Sequence, residues 1–293
     1  MDLKKFYLAH YKKLLMIPLI IFAISLFIIS NNYSKTGDIV NKDVTLKGGL
    51  TITINTAESA QGLEGFLKAK FPNADILVRQ LSEFGTNQQV GILIEASGVN
   101  EEELKQELES KLNIKLTLEN YSVEQVGSSL GEAFYKQMSI AVLLAFIFMA
   151  IVVTITFRVL IPSFTVVFAA ICDITFALAA MNLFGIRLST GSIAALLMLI
   201  GYSIDTDIVI TTKALKRKEE GNVIDRMSSG AKTGLTMTLT TIAALTAGYL
   251  VTQSIVIKEM FAVLLFGLSF DIIVTYLFNT GILVWWVKRK SVE

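Results

Sequence analysis

The sequence has one cysteine, Cys172, and one histidine, His10. A lone thiol rules out a disulfide framework, and so few Cys and His residues leave nothing to cluster around a metal, so neither metal nor cofactor is expected. No Gly-rich phosphate loop of the GxxxxGK[ST] kind occurs. Basic and acidic residues nearly balance, 26 against 25 for a net charge of +1, which excludes a strongly basic nucleic-acid binder. Charge is also scarce inside the apolar runs, where no Arg or Lys stands to neutralise an acid.

Apolar character is abundant. Hydrophobic residues make up 53 % of the 293 residues, mean hydropathy is +0.60, and several runs approach the ~20 residues that a helix needs to cross a bilayer. The sequence is that of an integral membrane protein. The first run, 14–30, follows Lys4, Lys5, Lys12 and Lys13 and leads to Asn31-Asn32-Tyr33 with no small-residue cleavage site, so a retained span is expected. Five more follow at 138–157, 163–184, 190–212, 233–251 and 259–286. Lys213, Lys216, Arg217, Lys218, Arg226 and Lys232 share one loop with the polarity of the N-terminus, as do Arg158 and the tail Lys288, Arg289 and Lys290; the opposite short loops hold Arg187 and Lys258. The positive-inside rule then predicts six spans in the cytoplasmic membrane with both termini in the cytoplasm. Trp285 and Trp286 read as an interfacial anchor.

Residues 33–137 are polar enough to form a domain outside the membrane, between residues 1–32 and the remaining spans at 138–287, with a basic tail at 288–293. Periodicity predicts strand 44–54, helix 57–71, strands 75–81 and 90–96, helix 101–112 and strand 114–121. The order βαββαβ is that of a ferredoxin-like α+β fold. Lys47-Gly48-Gly49 interrupts the first strand, marking either a simple kink or a place where another backbone approaches closely.

Four carboxylates fall within predicted spans: Asp173, Asp205, Asp207 and Asp271. An Asp near the middle of a membrane helix costs about 2.5 to 3.5 kcal/mol on insertion scales, so each needs a polar interior, a partner or an ion-handling role. At 1.5 Å per residue, Asp173 lies about 15 Å from the start of its span and Asp205 about 12 Å from the Lys213 end of the next, a shared depth at which the two can face one another. Asp205 and Asp207 are about 200° apart on a helix. One is expected to face the bundle interior, the other a cavity, a neighbouring subunit or the cytoplasmic rim. Asp205 is the first candidate for a reversible proton carrier, Asp173 the second and Asp207 the third; the alternative for each is a hydrogen bond that fixes helix packing. Ser203 and Thr206 flank them. Thr233, Thr236, Thr240 and Thr241 form a hydroxyl stripe that either lines a polar path near Asp205 or bonds back to its own helix. Gly230 and Gly234 form a small-xxx-small pair suited to close helix contact.

Several motifs together resemble the SecF subunit of the SecD/SecF protein-export complex, within the RND superfamily. They are Gly48-Gly49, Val126-Gly127-Ser128-Ser129-Leu130-Gly131, Cys172-Asp173 and, most specific, Leu199-Ile200-Gly201-Tyr202-Ser203-Ile204-Asp205. The resemblance implies an RND-like half of six spans that pairs with a SecD homologue, associates with a SecYE-type channel, handles translocating polypeptide and draws on the proton-motive force. It does not imply an enzyme. The bacterial motif aligns its Asp with Thr206 and has an Arg near Thr233, so the chain is more similar to the archaeal branch. Three other readings use the same features: half of an RND-type exporter of lipid or small molecules, a structural subunit without ion coupling, and an intramembrane aspartyl protease. The last lacks a Gly-x-Gly-Asp element.

Overall fold

The computed structural model describes residues 3–82, 88–215, 222–252 and 254–290. Lys216, Arg217 and Lys218 of the basic loop and the last three residues of the tail lie outside them. Among the described residues, six helical stretches are long and apolar enough to cross a membrane. The first joins α1 (Leu3–Leu14) to α2 (Met16–Thr36). The break between them follows from Pro18, which has no N–H to give the carbonyl of Leu14 and whose ring crowds that carbonyl.

The segment between the first and second spans starts with a four-residue helix α3 (Val44–Lys47) and strand β1 (Gly49–Ile54). Helix α4 (Leu63–Lys70), strands β2 (Asp75–Ser82) and β3 (Gln89–Ser97), helix α5 (Glu101–Leu112) and strand β4 (Tyr121–Val126) follow. The sheet order is β2-β3-β1-β4 with every neighbouring pair antiparallel, as a split βαβ fold requires. Strand β1 alternates in burial, and its inward residues Leu50, Ile52 and Ile54 pack with Ile92, Ile94, Leu67, Leu104 and Leu108 in one core between sheet and helices. The α+β fold is therefore as the sequence predicts, with three shifts, the first being that the helix expected at 57–71 forms only over Leu63–Lys70, after Gly62 in the left-handed region at φ of +75°.

The strand expected at 44–54 begins only at Gly49. Asp43 caps the residues before it, accepting from the N–H of Thr45 at 3.0 Å and from its hydroxyl at 2.6 Å, which winds them into α3. The last strand, expected at 114–121, lies at Tyr121–Val126. Leu116 is buried in the core without being in a strand, and Asn120 folds the chain back by accepting from the N–H of Thr117 at 2.8 Å. Apolar periodicity thus marked burial rather than strand.

Strand β4 runs into α6 (Ser128–Phe157) with Gly127 alone between them, so this helix starts ten residues before the apolar run predicted at 138. Three glycines make the junction close. A Cβ on Gly48 would lie 2.4 Å from the Ser128 Cα, one on Gly49 2.4 Å from the Ala96 carbonyl oxygen, and one on Gly131 2.9 Å from the Gly48 nitrogen. Of the two readings of the Gly48-Gly49 step, close approach of another backbone is the one observed.

The remaining spans are α7 (Leu160–Phe184), α8 (Thr190–Leu215), α9 (Val223–Val251) and a sixth made of α10 (Ile255–Ile273), a π-helical turn (Val274–Asn279) and α11 (Thr280–Lys290). Helix α7 is the central one, with 67 % of its apolar stretch buried against 17 % for α6 and for α9. The sheet is seated on one end of this bundle. Asp75 on β2 pairs with Lys47 at 2.9 Å and with Arg187, in the α7–α8 loop, at 2.7 Å. Arg79 pairs with Glu259 at the start of α10. Main-chain bonds from Asp43 to Leu188 at 3.0 Å and from Leu188 to Asn41 at 2.7 Å complete the seat. Glu95 is buried on the same sheet face as Arg79, and among the described residues one of its carboxylate oxygens has no hydrogen-bond partner.

Candidate functional site

The polar centre of the molecule lies where α7, α8 and the sixth span meet. Asp173, Asp207 and Asp271 are all fully buried there. Ser203 on α8 donates to Asp173 at 2.5 Å, and the Asp173 and Asp271 carboxyls face each other beside it. Asp207 accepts at one oxygen from Thr275 at 2.8 Å and from the amide of Asn279 at 2.5 Å. Thr275 also lies 3.1 Å from the nearer oxygen of Asp271. One hydroxyl therefore joins two carboxyls, and Ser203 ties the third into the same chain.

The π-helical turn positions this group. Its wider winding is marked by the N–H of Thr280 reaching back five residues to the carbonyl of Thr275. In a regular α-helix, residues eight apart drift by about 80° around the axis. The π turn offsets part of that drift, and Asp271, Thr275 and Asn279 stand together facing Asp207 and Asp173.

The arrangement leaves acceptors over. Among the described residues, no hydrogen-bond donor reaches the buried Asp173 Oδ1, Asp207 Oδ2, Asp271 Oδ2 or Asn279 Oδ1. Thr275 carries one proton. Its two short contacts are satisfied together only if it donates to one carboxylate and accepts from the other carboxyl in its protonated form.

The sequence-predicted residues divide. Asp173, Asp207 and Ser203 are in this centre. Asp205 is on the opposite side of α8, exposed on the surface of the bundle, so it does not face Asp173; Ser203 takes that place. The cause is the 100° step per residue: Ser203 and Asp207 share a face, and Asp205 lies between them in sequence but behind them in space. Thr206 is buried against Thr238 at 3.2 Å, above Gly234, whose Cβ would lie 2.6 Å from the Thr206 methyl. The Gly230–Gly234 pair therefore brings α9 onto α8, where Thr238 meets Thr206 and, from the predicted stripe, Thr233 accepts from Lys213 at 3.3 Å. Thr233, Thr236, Thr240 and Thr241 donate to carbonyls of their own helix at 2.8–3.1 Å. Thr275 and Asn279 were not singled out from sequence, although with Asp271 they form an i, i+4, i+8 polar row in an otherwise apolar span.

Comparison with known proteins decides the family. The family model described as protein export membrane protein SecD/SecF, C-terminal, matches residues 106–289. The protein-export membrane protein SecF of Pyrococcus furiosus is 38 % identical over 96 % of this chain and 92 % of its own. That of Methanothermobacter thermautotrophicus is 37 % identical over 97 % and 95 %. The chain belongs to the SecF family. It is a multi-pass membrane protein with a role in protein export, as the SecF resemblance implies. Its fold matches that of SecDF, a translocon-associated membrane protein from Thermus thermophilus, with a TM-score of 0.74 at 18 % identity over 96 % of this chain. A second SecDF structure, a super-membrane-facing form, gives a TM-score of 0.64 at 20 % identity. This SecF-family chain spans 38 % and 39 % of those two chains.

Proposed function

We propose that this SecF-family chain works with a SecD homologue beside a SecYE-type channel to promote export of polypeptides, with both termini in the cytoplasm, and that it couples to the proton-motive force through Asp173, Asp207 and Asp271. The observation that carries the reading is the buried chain of carboxyls joined by Ser203 and Thr275. Carboxyls in such a setting can exchange a proton along a row of hydroxyls without charge entering the apolar bundle. Asp205, on the outer face of α8, lies outside this chain, so the relay rests on the three inner acids.

A structural reading has its own support, because the same hydrogen bonds tie α8 to α7 and to the sixth span and so hold the bundle together. Substitution separates the two. Asn at Asp173, Asp207 or Asp271 keeps size and hydrogen bonding and abolishes titration, whereas Leu removes both. A proton relay predicts that each Asn variant assembles at wild-type yield while secretion loses the part that an uncoupler abolishes. Uncoupler-sensitive secretion at the wild-type rate by all three Asn variants, with loss of assembly only on Leu, would establish the structural reading instead.

A further inference from the structure

A cavity of about 530 Å³ lies between α1, the N-terminal part of α9 and the sixth span. That is within the roughly 300 to 1,000 Å³ in which proteins hold small ligands. Leu8 and Leu14 of α1, Met227 and Leu235 of α9, and Leu277 and Val284 of the sixth span are among its walls. Helix α1 closes one side because it leans on the sixth span, where Tyr11 is buried with Leu283 and Val284.

The hydroxyls in the wall are already used. Tyr7 donates to the Tyr276 carbonyl, Tyr276 to the Ala231 carbonyl and Thr280 to the Thr275 carbonyl, each at 2.9 Å. The lining therefore offers a ligand little besides carbon. One charge stands at the rim: Lys232 is exposed, it is the single charged residue in the lining, and among the described residues no carboxylate pairs with it. Helical side chains lean toward the N-terminus of their helix. This carries the Lys232 ammonium back toward the end of the bundle that holds Lys12, Lys13, Lys288 and Arg289, the level of the lipid headgroups.

We propose that this cavity binds an acyl chain of an anionic phospholipid, whose phosphate is held by Lys232. Charge complementarity selects the occupant. An unpaired ammonium at the edge of the hydrocarbon needs an anion, and a phospholipid brings a phosphate and an apolar chain to that depth together, as lipids do at basic pockets between membrane helices. A helix of a partner fits less well. It is about 10 to 12 Å across, so that a recess of this volume takes in only about one turn of it, whereas an acyl chain is a single file of methylenes that can lie along the groove. Tyr276 and Leu277 of the wall belong to the π-helical turn that carries Thr275 and Asn279, so a bound chain braces the element that positions the three inner acids.

The test uses the full chain, purified in mild detergent, washed free of native lipid and incubated with an equal mixture of phosphatidylglycerol and phosphatidylcholine, with bound lipid counted by native mass spectrometry. The wild type is expected to retain one phosphatidylglycerol in preference to phosphatidylcholine, and to melt at a higher temperature with phosphatidylglycerol than without it. Lys232→Glu is expected to lower phosphatidylglycerol retention about tenfold through loss of a charge-assisted contact. Ser228→Phe, which fills the cavity from its α9 wall, should lower retention of both lipids. Arg158→Glu, at an exposed position on the same end of the bundle, is the control and should change neither. Melting curves report whether each variant is folded; Leu235→Trp replaces Ser228→Phe, and Lys232→Gln replaces Lys232→Glu, if the first choice is not. Wild-type retention by Lys232→Glu, or an equal loss with Arg158→Glu, would overturn the site, since headgroups would then be gathering on the basic surface at large. Undiminished retention with the cavity filled would overturn the cavity as the place of binding, and a lipid-free dimer that Ser228→Phe dissociates would assign the groove to a second copy instead.

Discussion

At the residue scale, the glycines at the junction are more demanding than any charged side chain there. Gly48 has φ of +82° and a Cβ at that position would overlap the Ser128 backbone, whereas Gly185 has φ of +67° with nothing within 4 Å. Alanine at Gly185 should therefore cost only the left-handed backbone penalty, about 1 to 2 kcal/mol. Gly48→Ala adds a clash with main chain, which cannot swing aside, and should cost about 3 kcal/mol or more. Thermal unfolding of the detergent-purified chain checks the difference, and equal melting temperatures for the two variants would show that the junction yields. Sequence alone marked Gly48-Gly49 as a point of interest but not its occupant, because a close approach is a relation between residues eighty apart. The same limit applied to the acids. Spacing established that Asp205 and Asp207 point apart, but which one turns inward depends on where Thr275 and Asn279 arrive from a span nearly seventy residues further on.

At the scale of elements, the sheet is held to the bundle by charges whose response to pH runs in opposite directions. Burial by itself would raise the Asp75 carboxyl, but the hydrogen bond from Lys47 and the positive charges of Arg187 and Lys47 outweigh it and hold Asp75 below the usual carboxylate range. A depressed folded-state pKa contributes stability that is present above the unfolded value and is lost as pH falls through the folded one. Glu95 is the reverse. Burial raises it, and Asp43 and Glu259 add to the effect against the opposing charge of Arg79, so its protonated form favours the seated sheet and that contribution is lost as pH rises through the folded value. Asp75→Asn should lower the neutral-pH melting temperature by the equivalent of about 1 kcal/mol, modest because these pairs are partly exposed, and should flatten the acid limb. Glu95→Gln should leave the melting temperature unchanged or raised at neutral pH and reduce its dependence on pH above the ordinary range for glutamate near 4.3. A Glu95→Gln variant that melts lower than wild type at neutral pH would count against this assignment. Most of the elements were legible from periodicity, since α5 falls where predicted and β2 and β3 nearly so. The two strands that moved did so where local capping by Asp43 and Asn120 outweighed apolar pattern, a contest that a window average does not register.

At the scale of the whole molecule, the six spans and the distribution of basic residues predict that the sheet is outside and the α8–α9 connection inside. In a Cys172→Ala background, Leu118→Cys, fully exposed in the structure at 101 %, should react with an impermeant thiol reagent added to sealed cells. Asn222→Cys, also exposed, should react only after the membrane is opened. Labelling of Asn222→Cys in sealed cells would reverse the orientation. The length of α6 bears on where the sheet sits. Thirty residues of helix extend about 45 Å, while the hydrocarbon core of a bilayer is about 30 Å thick, so roughly three turns stand beyond the acyl chains. Gly131 is in that overhang and packs on α3, which places the base of the sheet in the layer of lipid headgroups rather than in open water. Lys47, with its side chain 32 % exposed, would then have lipid phosphates within reach as well as Asp75, so the tightness of the seat should depend on the surrounding phospholipid as well as on the protein.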